Sequence, residues 1–463
     1  MKPGKVILLI LFILLRMSGS AGQNVLDHYI RHGLENNLAL KQQQFSLEKS
    51  LEALREVRGL FYPTLGIESR ISTAGGGRTI DFPVGDLVNP IHITLNQLLS
   101  AIGQAPVFPA NLENVQIPFY RPFEHDTRLR MIQGLFQPTL YPYNRIRREL
   151  SVAERESCRV FARRLVLEIK TAYFSHLKAV RVGEFLDETR GLLEENLRLS
   201  QALFANQTVT EEVVFRSQAE LSKLDQQRGE AARNVSLSRS YFNFLLNRPL
   251  TEPIDIQPVF IRLFDPLPEA SRLESDTMQF REELRQLGHV VTALATQVKL
   301  RRAEQLPSLN VVVDYGFQAD TIRFGKKDDF WMTSLMFNWN LFNGFQSDAR
   351  RKQALFDQRR VEKQREEVAA KIRMQVQDAV RSLQVAEQVL EAAAATQRSV
   401  DASFAIIARK YEQQMVPQIE FIQAQNEKTA ASVGYLVAMY DLYIREAELE
   451  QCAAKYPLKM EEK

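Results

Sequence analysis

Hydrophobic positions along the chain follow three different patterns, and each predicts a different element. From Leu309 the odd positions carry Leu309, Val311, Val313, Tyr315 and Phe317. The even ones carry Ser308, Asn310, Asp314, Gly316 and Gln318, with Val312 as the one break. A period of two with one apolar and one wet face predicts a strand. A following strand puts Trp331, Leu335, Phe337 and Trp339 on one face. Earlier in the chain Leu65, Ile67 and Ile71 alternate with Thr64, Glu68, Arg70 and Ser72. The return strand is weaker, because Gln133 interrupts Leu129, Met131 and Leu135.

The second pattern is helical. After Gly344, a stripe advances in threes and fours through Val368, Ile372, Val376, Ala379, Leu383, Ala386, Leu390, Ala393, Gln397, Val400, Phe404, Ile407 and Tyr411. Neither Gly nor Pro occurs from Phe345 to Val416, so the spacing predicts one helix of roughly 70 residues, about 100 Å long at 1.5 Å per residue. The first half has a counterpart, with no Pro between Asn144 and Arg248 and only Gly183, Gly191 and Gly229 as weak points. A narrow stripe rich in Ala suits close, coiled-coil-like packing.

The third pattern is the unbroken apolar run Val6 to Leu15. It follows Lys2 and Lys5 and precedes the small residues Ser18 to Gly22, which predicts a cleaved secretory segment over 1–22. No later segment reaches about 18 apolar residues, so a membrane role would need a β-barrel.

The two halves share one plan. Pro63-Thr64-Leu65 recurs as Pro307-Ser308-Leu309, Gly134-Leu135-Phe136 as Asn340-Leu341-Phe342, and Thr210 to Val214 as Gln418 to Ile422. The offsets of 244, 206 and 208 imply a first loop about 38 residues longer than the second. The division is a first repeat over 23–255 and a second over 256–463, separated near Pro249, Pro253, Pro258, Pro266 and Pro268. Each repeat runs helix, strand, loop, strand, very long helix, turn, helix. The long loop, Thr73 to Thr127, is predicted to lie at the cell surface and to hold a short helix near Thr94 to Ile102.

Four strands are too few to close even the smallest outer-membrane barrel of about eight, so copies of the chain must pair the open edges. Alternation alone fits a half-buried strand in a soluble sandwich equally well. The aromatic positions add information: Trp331 and Trp339, the only 2 Trp of the chain, lie eight positions apart on one face. In a tilted strand that spacing gives roughly 20 Å along the membrane normal, close to the separation of two aromatic girdles to which Tyr315 and Phe317 would also contribute. Core packing is the alternative for these rings.

Composition narrows the function classes. A net charge of +3 over 463 residues, with charge well mixed, argues against a nucleic-acid partner. Cys158 and Cys452 are too few and too far apart for a disulfide framework or a zinc site, and read as buried thiols. His28 and His32 share a helix face without a third ligand nearby. No phosphate loop, G-x-S-x-G or H-E-x-x-H occurs, so neither an enzyme nor a cofactor is expected.

With Trp339-Asn340-Leu341-Phe342-Asn343-Gly344 leading into the long helix, and Tyr411 to Gln425 (YEQQMVPQIEFIQAQ) as a helical turn, the order of elements resembles the TolC family of outer-membrane efflux proteins. The resemblance covers nearly the whole mature chain. It implies a mixed α and β membrane protein: a homotrimer whose twelve-stranded barrel, four strands per chain, continues into a twelve-helix tunnel. The barrel would sit in the outer membrane of a Gram-negative bacterium, amid its lipid, and the helices in the periplasm. A periplasmic adaptor (membrane fusion) protein and an inner-membrane pump would be partners, in efflux or type I secretion.

The resemblance also implies a periplasmic gate, in which Glu420 and Gln423 take the places of the acidic rings of family members, and Glu212 is the repeat equivalent of Glu420. Tyr411 and Glu212 are expected to hold neighbouring hairpins shut. Stabilisation of a helix N-terminus is the alternative for Glu211 and Glu212. The family usually has Gly shortly after the turn's Tyr, where this chain has Gln414. The rival reading of the whole chain is a secreted or cytosolic coiled-coil scaffold, which accounts for the helices but not for the four alternating strands.

Overall fold

The computed structural model describes residues 25–256 and 269–458. The predicted secretory segment, together with Pro258, Pro266 and Pro268 of the boundary, lies outside the described residues. A helix over 25–36 (α1) and α2 (Leu38–Gly59) lead into β1 (Thr64–Thr73). There follow β2 (Thr79–Phe82), α3 (Val84–Ala101), β3 (Val115–Pro118), β4 (Phe123–Phe136), α4 (Leu140–Ala205) and α5 (Glu211–Leu245). The second half supplies α6 (Ala270–Phe280), α7 (Glu282–Ala303), β5 (Ser308–Ala319), β6 (Asp329–Asn338), α8 (Gln346–Glu412) and α9 (Gln418–Cys452). Two helices, a strand, a return strand, a very long helix and a shorter one are thus met twice in the same order. The first passage carries β2, α3 and β3 in addition.

Details of the backbone recur as well. The break between α1 and α2 falls at Asn37, and that between α6 and α7 at Arg281. All four of the helices α4, α5, α8 and α9 end on a residue with positive φ: Gln207 (56°), Asn247 (54°), Gln414 (58°) and Ala454 (52°). Each is part of a paired hydrogen-bond cap. Gln207 and Thr208 donate to Phe204 and Leu203, while Gln414 and Met415 donate to Tyr411 and Lys410. This is the Schellman arrangement, in which a left-handed residue turns the chain back to satisfy the last helix carbonyls.

The chain forms two compact units, and each draws on both halves. One gathers Met1–Leu54, Arg145–Thr296 and Gln353–Lys463; the other gathers Arg55–Asn144 and Gln297–Lys352. The helical unit is held by three apolar clusters. The largest joins α1, α2, α4 and α5 around Ile30, Leu40, Leu165, Ile169, Leu177 and Phe242. A second joins α6, α8 and α9 through Val376, Leu383, Leu442 and Leu449. The third, Leu186, Leu193, Leu224 and Ala231, zips α4 to α5. The whole predicted stripe of α8, from Val368 to Tyr411, lies on the packed side of that helix.

Buried ion pairs cross-link this unit. Arg163 forks onto Glu282, with Nε 2.9 Å from Oε2, and Lys170 pairs with Glu450. Removing one member of such a pair would leave a buried charge unmatched. Both thiols are free, and burial pushes each above the ordinary thiol value. Cys158 is fully buried as expected, whereas Cys452, at the end of α9, is only half-buried.

The strand unit is a four-stranded antiparallel sheet of order β1-β4-β5-β6, with β1 and β6 as open edges. A separate ribbon pairs β2 with β3. The register shifts between Gly134 and Phe136, a bulge beside Gln133, whose Nε2 donates to the carbonyls of Phe61 and Gly134. That polar engagement explains the weak alternation of β4. The loop helix is longer than expected: α3 begins at Val84 rather than near Thr94 and runs through Pro90. Bonds from Asp86 and Asn89 to Asn114 and Leu112 hold the turn that precedes the proline, which a local pattern cannot reveal.

Candidate functional site

Two places carry the features singled out in the sequence: the wall formed by the sheet and the tips of the helical hairpins. The register assigns every strand residue to a face. Leu65↔Met131↔Val313↔Thr333 and Ile67↔Leu129↔Tyr315↔Trp331 form rows across one face. On the other, Glu68↔Arg128↔Gly316 and Gly66↔Arg130↔Asp314 form rows. Burial of the two faces is the reverse of a water-soluble sheet. Ile67 is 77% exposed and Trp331 76%, with Leu65, Leu335 and Phe337 also exposed, whereas Asp314 on the charged face is only 1% exposed.

The charged face is a network of ion pairs. Arg130 forks onto Asp314 at 2.8 and 3.0 Å and reaches Glu68 at 2.8 Å. Arg128 approaches Glu68 at 3.4 Å, and Arg70 approaches Glu124 at 3.6 Å. Gly316 is what lets β4 and β5 close here: a Cβ at that position would lie 2.4 Å from the Thr127 carbonyl oxygen and 2.6 Å from Arg128 Cβ. Such a sheet suits apolar surroundings on one side and ion-paired, wet surroundings on the other.

The expected aromatic residues lie on the apolar face. Tyr315 sits directly across from Trp331, and the Tyr315 and Phe317 rings meet edge-on at 6.1 Å. Trp339 lies just beyond the opposite end of β6, where its Nε1 donates to the Gln305 carbonyl at 3.1 Å and its ring stands edge-on to Phe337.

At the tips, α4 turns into α5 across 206–210 and α8 into α9 across 413–417, as the sequence predicts. Gln414 occupies the left-handed position of its turn. Glycine adopts that conformation without strain, while a residue with a Cβ loses roughly 1–2 kcal/mol. Glu420 and Gln423 are exposed in the first turns of α9, and Gln423 donates to Glu427 at 3.2 Å. Glu212 is exposed and pairs with Arg216 on its own helix. Neither Thr210 nor Pro417 caps its helix with a side chain, so Glu211, Glu212 and Glu420 also meet positive helix ends. Tyr411 stacks flat on Phe421 at 4.7 Å, within its own hairpin.

A polar cluster that periodicity did not single out joins the two hairpins. Gln418, buried at the start of α9, directs Nε2 to Ser217 Oγ (2.5 Å) and Ser200 Oγ (3.0 Å), with Asn196 Oδ1 at 3.4 Å. Ser200 and Ser217 are themselves 3.0 Å apart. The available signal was Asn196 and Ser200, four apart on the packed side of a helix where apolar residues are the rule. Among the described residues no group of three His, Cys, Asp or Glu is arranged to hold a metal, and no helix is long and apolar enough to cross a membrane.

Residues 273–455 match the model of the family described as outer membrane efflux protein. No curated protein matches the sequence significantly. Among solved structures, the fold is similar to the CmeC outer membrane channel of Campylobacter jejuni, with TM-score 0.76 at 14% identity, covering 92% of this chain and 85% of that one. It is also similar to the outer membrane protein VceC of Vibrio cholerae, with TM-score 0.73 at 13% identity, covering 94% and 98%. The open state of the Neisseria gonorrhoeae MtrE outer membrane channel gives TM-score 0.72 at 15% identity, covering 93% and 88%.

Proposed function

We infer that this chain is a member of the outer membrane efflux protein family and an outer-membrane channel: the exit duct through which a tripartite export system passes small molecules out of the cell. It is a channel and not an enzyme. Its strands lie in the outer membrane and its helices in the periplasm.

The observation that carries this reading is the inverted sheet. A face of Leu65, Ile67, Tyr315, Trp331 and Leu335 left exposed beside a face of paired Arg, Asp and Glu suits a barrel wall between lipid and an aqueous lumen. A coiled-coil scaffold has no use for it.

The finer reading follows from strand arithmetic and chain order. Four strands with two open edges favour a homotrimer with a twelve-stranded barrel and a helical tunnel. The chain is then two repeats, 23–255 and 256–463, behind a secretory segment at 1–22. A periplasmic adaptor, an inner-membrane pump and outer-membrane lipid are the partners. Trp331, Tyr315 and Phe317 form one aromatic girdle and Trp339 contributes to the other.

The gate lies at the hairpin tips. Glu420 faces its copies in the neighbouring subunits, with Gln423 one turn on, while Tyr411 and Glu212 help to keep adjacent hairpins together. Carboxylates gathered around an axis attract cations. The test is reconstitution in a planar bilayer after mass measurement in detergent. A trimer that conducts ions supports the reading, and a monomer without conductance removes the barrel from it.

A further inference from the structure

The insertion between β1 and β4 contains a helix that is inside out. On one side of α3, Asp86, Asn89, His92 and Asn96 follow one another at steps of three and four and bond the chain that comes after the helix. Asn89 forms a reciprocal pair with Leu112, donating to its carbonyl and accepting from its N–H, both at 2.9 Å. Asn96 donates to the Phe108 carbonyl at 2.7 Å and accepts from the N–H groups of Val107 and Phe108. His92 Nδ1 donates to the Pro109 carbonyl at 2.5 Å, and Asn114 pairs with Asp86. The polar side of the helix is therefore consumed internally.

The opposite side carries Leu87, Ile91, Leu95, Leu98 and Ile102 at steps of four, four, three and four, and all five are exposed, Ile102 to 71%. The β2–β3 ribbon adds a second apolar face, since Ile80 pairs with Ile117 and Phe82 with Val115, all four half-exposed. A structure that bonds its own backbone so fully and turns leucine and isoleucine outwards is built for apolar surroundings.

Two observations choose between lipid and protein as those surroundings. Helices that lie on a membrane surface keep Lys and Arg on a free polar face. Here residues 74–122 hold only Arg78 and Arg121 against Asp81, Asp86 and Glu113, with no Lys, and the polar face is not free. The insertion also joins β1, an open edge of the sheet, to its neighbour β4, at the end away from α2 and α4. It therefore stands at the seam where the next copy of the chain must join.

We propose that the Leu87–Ile102 stripe packs against the insertion of a neighbouring copy, so that the insertions form an apolar collar between subunits at the outer end of the barrel. The inference rests on the trimeric reading above. It is tested on the full chain in outer-membrane vesicles, with Cys158→Ser and Cys452→Ser as background, by introducing Ile91→Cys, Leu98→Cys or, as an off-stripe control, Gln97→Cys. A short bismaleimide is expected to link copies through positions 91 and 98 at least tenfold more than through 97, and a water-soluble maleimide to label 91 and 98 more slowly than 97.

Mass in detergent is measured on the same preparations. A trimer without cross-links, in which position 98 is labelled from the lipid phase or freely from water, overturns the collar and leaves the channel standing. A monomer overturns both.

Discussion

Replacing Gln418 with Ala should loosen the docking of α9 on the α4–α5 hairpin. The amide Nε2 has two protons, and the hydroxyls at 2.5 and 3.0 Å take both, leaving the contact at 3.4 Å secondary. Each net bond is worth about 1 kcal/mol, so the gross loss is about 2 kcal/mol. Against this, Oε1 of Gln418 is buried without a hydrogen-bond partner among the described residues, and its removal returns part of the loss. The net effect is about 1–2 kcal/mol, or roughly a 5- to 30-fold increase in the population of the undocked tip.

Amide hydrogen exchange over 421–425 reads that population directly, and Ser217→Ala supplies a double-mutant cycle. Exchange should quicken by the stated factor in Gln418→Ala, and the double variant should fall short of additivity. In bilayer recordings the same variant should open spontaneously more often. Exchange within twofold of the parent, or strict additivity, would refute the idea that this cluster couples the hairpins.

Gln414→Gly relieves a left-handed Gln with φ of 58° and should stabilise its turn by about 1 kcal/mol, slowing exchange at 414 and 415; faster exchange would mean that the side chain holds the turn. Glu420→Gln should weaken cation selectivity and block by multivalent cations in single-channel recordings, and unchanged selectivity would move the constriction to Gln423 or the first-half turn. His176 is held below its ordinary value of 6.5 by burial, with Arg239 adding to the effect. Both states are neutral above that pH. As pH falls below 6.5 the unfolded chain takes up the proton first, and stability drops by up to about 1.4 kcal/mol per pH unit until the folded histidine titrates. His176→Gln should flatten that part of the thermal-midpoint profile.

Most of the element order was legible because both periods are long and uninterrupted. The stripe from Val368 to Tyr411 has neither Gly nor Pro to break it, and α8 follows it. The strands from Leu309 and Trp331 alternate cleanly enough to fix their faces. What the period could not tell is which face meets water, since a soluble sandwich has the same alternation. That answer came from Arg130, Asp314 and Glu68, whose pairing across three strands depends on register.

The local pattern marks the loop helix only from about Thr94, because Pro90 reads locally as a stop and the side-chain bonds to 107–114 that carry the helix through it are non-local. The tip cluster was missed for a related reason: Ser and Gln on a packed stripe look like imperfections until their partners on another helix are known. Gln414 pointed the other way. It departs from the glycine usual in the family, yet it adopts the backbone that glycine would.

If the apolar face of the sheet meets lipid, the chain's own fluorescence reports it. Trp331 and Trp339 are the only 2 tryptophans in the chain, and both belong to that face or its margin. In liposomes of brominated phosphatidylcholine, both should be strongly quenched, most by bromines near the ester end of the acyl chains, where aromatic girdles lie. Emission unchanged by bromolipid at every depth, in protein that floats with the liposomes, would place that face outside the bilayer.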